Sequence, residues 1–560
     1  MKRKILLLGA LPVLLTSCSI IDWFTSLIEG GDSSTAISDA SVQHVDGLMV
    51  AENLSQNYGG HSYAPAAPST DAYQTKNPGH TIEDVKNTTY ELPLPFSGTQ
   101  RILVIPVKFT DYPGVATDKT RNDIYKTFFG SPSETGWESL ASYYHKSSFK
   151  QLTIEGVVSE WYNCGLSTSE LTALKNSSHD SQYDASWDVL EGAISWYKST
   201  YNTKGIEFDN NHDGFIDGVW LVYGAPNYSN QTRLDPDLFW AYTYFDASVF
   251  DDIHYQSDLD KLKQNPVGYH YCWASYDHMY EGYGSNRVDA HTYIHETGHL
   301  MGLPDYYVAG SADDYTTNYG PMGWVDMMDA NVIDHNAFSK MNFGWLNPYV
   351  LQGPGTVTLH PSASTGECLI IPTSKGWKNT VFDEYMLLEF YTPTELNASD
   401  SQSAYTNGIR GFTTPGIRIY HVDARMVDLD SNFDPTRYVT TFNGDTQRVD
   451  LANSNSSAYN YVKGSVGNYE HRLIQMMDCT QKRNFDVAYD LERGKKVPCV
   501  ADNSSLFTQG KSFDFATYRG SFPRAYFHDS DQMNNGGTFD YRVTVTSINS
   551  STATLTITAA

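Results

Sequence analysis

Two histidines four residues apart, with a glutamate after the first, a glycine and then an aspartate at fixed offsets, restrict this chain more than any other feature. The stretch is His295-Glu296-Thr-Gly-His299-Leu-Met-Gly302-Leu-Pro-Asp305. On an α-helix residues four apart share a face, so His295 and His299 aim two imidazoles at one point. Catalytic Zn²⁺ takes neutral imidazole nitrogens and keeps one position for water. Glu296 falls beside that water rather than on the metal, the place of a general base. Gly302 follows His299 by about one turn, where a left-handed residue stops a helix and returns the chain. Pro304 cannot continue the helix. Asp305 is thereby carried back as a third, oxygen ligand. The expectation is Zn²⁺ on His295, His299 and Asp305, with Glu296 as the base.

The start of the chain says where such a site would work. Met1-Lys-Arg-Lys is a positive leader, and Ile5 to Leu15 is apolar but too short to span a bilayer. It runs into Leu15-Thr-Ser-Cys18, which resembles the lipobox of bacterial lipoproteins, cut before Cys18 and lipidated there. No other segment reaches membrane-spanning length, so the expectation is an exported protein of the bacterial envelope, anchored to the membrane only by an N-terminal lipid. A net charge of −27 argues against nucleic acid and against electrostatic binding to anionic lipid. Beyond Cys18 there are five cysteines, an odd number with no C-x-x-C, so a cysteine metal site is not expected. Cys479 and Cys499 are candidates for one loop-closing bond, which spacing alone does not establish.

Residues 19–95, rich in Gly, Pro, Ser and Thr, read as a flexible tether or an inhibitory pro-segment. Arg101 to Phe109 is a nearly continuous apolar run, the mark of a strand in a buried sheet. Helical patterns over 121–129, 138–147 and 186–197 alternate with a strand over 151–161. Strands and helices alternating ahead of the histidine helix fit the upper half of an α+β zincin fold, and the spacing H-E-x-x-H-x-x-G-x-x-D is of metzincin type with Asp for the usual third His. Residues 96–350 are therefore expected to form a metzincin-like catalytic domain. Within it, Asp209, Asn211, Asp213 and Asp217 place oxygens at loop positions one, three, five and nine, with Gly214 at six. That matches the first part of an EF-hand loop, but position twelve is Trp220. The expectation is a structural Ca²⁺ loop outside the EF-hand architecture.

The zinc motif with Gly-Leu-Pro-Asp-Tyr306 resembles that of the immune-inhibitor-A family of secreted bacterial metallopeptidases. The likeness extends to Ile102–Phe109 with Asp111, Tyr143-Tyr144 with Ser147-Ser148-Phe149, the turn at 209–217, Trp324-Val-Asp-Met-Met328, Lys340–Leu346, Glu384–Glu389 and Gly416–Asp423. It spans roughly residues 100 to 425; outside the zinc motif its pieces are supporting only. It implies a zinc endopeptidase acting on protein or peptide substrates. It also implies a methionine turn beneath the metal, which Met328 fits best, with Met327 and Met322 as competitors. The lipobox departs from the family's simple secretion. His291 is expected to be structural, in the first helical turn after an Asp289 cap. His335 and Tyr306 are candidate oxyanion donors whose ordinary reading is as turn residues.

From about 351 to 560 short alternating strands replace helices, and an all-β sandwich-like domain is expected. Such a domain binds glycan or protein, or simply supports its neighbour. The alternative for the whole chain is a surface adhesin or glycan-binding lipoprotein on a zincin scaffold. The intact set His295, Glu296, His299 and Asp305 speaks against it.

Overall fold

The computed structural model describes strand β1 (Val42–His44) and residues 94–560, apart from internal stretches of which 309–319, 439–447 and 456–470 are the longest. The leader with Cys18, and nearly all of the 19–95 segment, lie outside the described residues.

The apolar run near residue 100 becomes β2 (Gly98–Lys108), followed by α1 (Asp118–Phe129), α2 (Leu140–Ser147), β3 (Leu152–Val158), β4 (Tyr162–Asn163), α3 (Asp184–Tyr201) and β5 (Val219–Tyr223). Two further strands, β6 (Tyr242–Phe245) and β7 (His270–Ser275), complete a sheet of order β3-β2-β5-β7-β6, with β4 also beside β2. All pairings are parallel except β6 on β7. Alternate side chains of β2 and β5 enter different cores. Ile102, Val104, Trp220 and Val222 face one side, while Leu103, Ile105, Val107, Val219 and Leu221 face the other. A sheet covered on both faces needs apolar residues at successive positions, which is why β2 reads as an unbroken run. Leu190, Ile194 and Tyr197 of α3 cover the second face.

The first face carries α4 (His291–Leu300), and beyond it α5 (Met327–Ala330) and α6 (Ala337–Asn342). Among the described residues the strand-rich part then forms two larger sheets, beside two small three-stranded ones at 426–451 and 483–496. Strands β8 (Tyr349–Leu351), β10 (Cys368–Pro372), β11 (Glu384–Tyr391), β12 (Gly416–Asp423) and β13 (Ile474–Met476) pair in that order, with β1 added outside β8. Strand β9 (Gly355–Leu359) joins β14 (Ser512–Asp514), β15 (Tyr541–Ile548) and β16 (Ala553–Ala559) in the order β9-β16-β15-β14. Leu369, Met386, Leu388 and Ile419 meet Val357, Val543, Leu555 and Ile557 between these sheets.

Every residue of β11 is buried. Its other face, with Tyr385 and Leu387, packs in the same core as Met328, Ile333 and Phe338. Residues 96–350 and 351–560 thus share one apolar core, continuous from Leu94 to Leu506. The physical reason is the two-sided apolarity of β11 and β12, whose second face has to be covered. Short helices also interrupt the strand-rich half, among them α7 (Ala398–Gln402). None of the five described cysteines forms a disulfide, Cys479 and Cys499 included. Among the described residues no helix is long and apolar enough to cross a membrane.

Candidate metal centre

Helix α4 is tied to α2, β5 and β7 by side-chain hydrogen bonds. Tyr144 of α2 donates to the Ile294 carbonyl (2.6 Å), Trp220 of β5 to Thr297 Oγ1 (3.2 Å), and Tyr293 of α4 to the Ser275 carbonyl of β7 (2.7 Å). Its interior glycine is a packing requirement. A Cβ on Gly298 would stand 2.7 Å from Met328 Sδ, closer than real contacts allow. The fully buried Met328 therefore lies against the helix backbone, one residue before His299. Helix α4 ends at Leu300, and Gly302 takes φ 93° as the left-handed residue. Leu303 N–H then returns to the Gly298 carbonyl (3.0 Å), which folds Pro304 and Asp305 back under the helix.

The result is a triangle. His299 Nε2 lies 3.1 Å from His295 Nε2, and each lies 3.2 Å from Asp305 Oδ1. His295 Nδ1 donates to the Met327 carbonyl (2.8 Å) and His299 Nδ1 to the Leu303 carbonyl (2.6 Å). A carbonyl only accepts, so both Nδ1 atoms carry the protons and both Nε2 lone pairs face the carboxylate. Three electron-rich atoms at this spacing need a cation between them. Tetrahedral Zn²⁺ with bonds near 2.0 Å sets its ligands about 3.3 Å apart, so these residues fit zinc. The minimal substitute is a proton. Burial opposes charge on His299, yet the Asp305 carboxylate outweighs it and raises His299 to about 9. Burial likewise works against the charge on Asp305, and the two imidazoles still hold it well below the usual carboxylate range.

Glu296 is buried on the side facing the sheet, where Thr243 of β6 donates to its Oε2 (3.0 Å) and to its carbonyl (2.9 Å). Its charge also acts on His299 and on Tyr307. Tyr307 bonds Asp305, and the carboxylates around it, with burial, keep its phenol protonated far above the usual range. The phenol beside the triad is one residue later than the expected Tyr306. Tyr306 is fully buried with its hydroxyl on Ser339 Oγ (2.7 Å), so the phenol at the centre belongs to Tyr307. Two adjacent tyrosines in an irregular turn point opposite ways, and sequence carried no signal as to which. Two other participants were equally illegible: the Met327 carbonyl, a backbone atom, and Thr243, on a strand the sequence pattern did not reveal.

His335 is buried between Tyr143 and Tyr144, with neither ring nitrogen bonded among the described residues. Burial, then Lys340 and His295, push its imidazole well below the usual range and keep it neutral. His291 is fully buried at the helix entrance. Its Nδ1 meets Asp289 (2.8 Å), its Nε2 meets Asp400 of α7 (3.3 Å), and its ring stacks on Trp137 at 4.2 Å. The cap position is Ala290 rather than Asp289, although Asp289 does accept the His291 N–H (3.1 Å).

In the second motif Asp209, Asn211, Asp213 and Asp217 are all buried. Asp209 accepts from the backbone of Asp213 and Gly214 (both 3.0 Å), and Asp213 from Phe215 (2.9 Å). Asp217 Oδ1 is buried without a hydrogen-bond partner. Burial and then the Asp213 charge raise Asp209 to about 8, and burial with the Asp213 and Asp209 charges holds Asp217 well above the usual carboxylate range. These oxygens crowd one another and suit a cation, yet the carboxylates are not gathered within 4.8 Å as His295, His299 and Asp305 are. A cluster that is so gathered, Asp277, His278 and Glu281, had no sequence motif. The amides of Asn227 and Asn230 already occupy its carboxylates.

No protein-family model matches the chain, and no curated protein matches it.

Proposed function

We propose that this chain is an exported, lipid-anchored zinc endopeptidase with a zincin-type catalytic half, akin to the immune-inhibitor-A peptidases. The observation that carries the reading is the convergence of His295 Nε2, His299 Nε2 and Asp305 Oδ1 within 3.2 Å, with the Glu296 carboxylate beside them. His295, His299 and Asp305 would hold Zn²⁺, which would supply Lewis acidity to water and to a scissile carbonyl. Glu296 takes the proton released by the water and passes it to the leaving amine. Thr243 holds Glu296 in place through Oε2. The protonated Tyr307 phenol, once it releases Asp305, offers its one donor to the developing oxyanion. Strand β6 ends its sheet among the described residues, and Thr243 ties it to Glu296.

Denatured casein, incubated with the protein at measured zinc content, tests this. Cleavage that chelator abolishes and zinc restores is expected. Zinc-loaded protein that leaves casein intact overturns the peptidase reading and favours a surface-binding one.

Ca²⁺ at Asp209, Asn211, Asp213 and Asp217 belongs to the same proposal, supported by the orphaned Asp217 oxygen and the raised Asp209. A cation bound only by the native state raises the unfolding temperature. Added Ca²⁺ is expected to stabilise the zinc-loaded protein but not its Asp213→Ala variant; equal responses would remove Ca²⁺ from the account.

A further inference from the structure

A cleft of about 500 Å³ opens in the strand-rich half, between the end of β8, the turn after β10 and the start of β15. Trp377 and Tyr541 bring two aromatic rings to it, and Gln352, Thr373, Asn379 and Asp540 bring amide, hydroxyl and carboxylate groups. Trp377 donates its indole N–H to the Thr380 carbonyl (3.0 Å), so its one donor is already engaged, and its partly buried ring packs on the core behind the cleft. Thr373 Oγ1 is fixed by the Asn535 amide (3.0 Å) and Asp540 by the Thr538 hydroxyl, which hold the polar wall in place.

The lining discriminates among ligand classes. No Lys, Arg or His is part of the lining, and the exposed Lys375 stands outside it, so no cation of the lining itself pairs with a phosphate or carboxylate. Lys378, on the same turn, lies 3.9 Å from Asp383. Asp540 is the only carboxylate in the lining, too few for a hard cation. Strand β8 is paired by β1 and β10, and β15 by β14 and β16, so neither offers a free edge to an extended peptide. What remains is a neutral ligand with flat apolar faces and many hydroxyls. Sugar C–H bonds are weakly positive and rest on the negative face of an aromatic ring, while hydroxyls bond amides and carboxylates. A volume of this size lies within the range of small-ligand clefts.

We infer that this cleft is a subsite for a neutral carbohydrate of one or two rings, which would hold the enzyme on glycosylated surfaces. Binding there is independent of the zinc chemistry, so each can fail without the other. Saturation-transfer NMR on the full protein, with N,N′-diacetylchitobiose, cellobiose, maltose and lactose as separate probes, tests it. Glucuronate and tetra-alanine serve as the anionic and peptide controls. At least one disaccharide is expected to bind through its ring C–H protons, equally with and without chelator. Trp377→Ala is expected to weaken that binding about tenfold, the worth of one stacked ring. Trp377 is partly buried, so Asp540→Ala, at an exposed position, provides a second variant that is expected to weaken binding while casein cleavage stays unchanged. Binding by none of the four sugars, binding that survives in both variants, or preference for either control overturns the inference.

Discussion

Glu296 touches no ligand position in the proposed scheme, so replacing it should separate metal binding from chemistry. Glutamine is nearly isosteric and still accepts the Thr243 hydroxyl, but it cannot shuttle a proton. Glu296→Gln is expected to keep its zinc and its unfolding temperature while losing two to three orders of magnitude in kcat, about 3–4 kcal/mol of transition-state stabilisation. Comparing wild type and variant on one peptide at matched zinc content decides the point, and equal rates would require a different base. The residue scale also shows what spacing can and cannot supply. His295, His299 and Asp305 fall within eleven residues of chain, and a helix followed by a glycine turn fixes their relation almost alone. Tyr307 differs from Tyr306 only through the packing of Ser339 and Asp305 on either side of the turn.

Helix α4 begins and ends on contacts of different range. Its exit is local: Gly302 in the left-handed region and Leu303 bonded back to Gly298. Its entrance depends on His291, Asp289 and Asp400, with Tyr405 donating to Asp289 (3.2 Å), which ties it to residues more than a hundred positions later. The helix interior depends on Met328. Alanine at Gly298 would add helix propensity worth about 1 kcal/mol, but its Cβ meets Met328 Sδ at 2.7 Å, an overpacking cost of about 1–3 kcal/mol. Gly298→Ala is therefore expected to destabilise the protein, and to do so less, or not at all, when Met328 is first shortened to alanine. Denaturant unfolding of the two single variants and the double variant measures this coupling, and a more stable Gly298→Ala with Met328 intact would refute it.

Across the whole molecule, one core joins the histidine helix to the six-stranded sheet. Leu387, fully buried on β11, faces that core from residues far beyond the metal centre. Leu387→Ala is expected to cost about 2–5 kcal/mol and to lower the temperature at which zinc is released together with that of global unfolding. Calorimetry should show the two halves unfolding in one transition; two separate peaks, the zinc-bearing one unmoved by Leu387→Ala, would mean that the shared core is not cooperative. Sequence by itself determined which side chains gather at the candidate metal centre, the apolar run of β2, and the turn at Gly302. Each follows from bonding and periodicity within about a dozen residues. Tertiary structure alone decided that β6 lies antiparallel beside Glu296, that Met327 offers its carbonyl to His295, that Asp400 reaches His291, and that a cleft forms where three separate segments meet. These relations join residues through space between packed layers, where a single amphipathic pattern says that a face is covered but not by what.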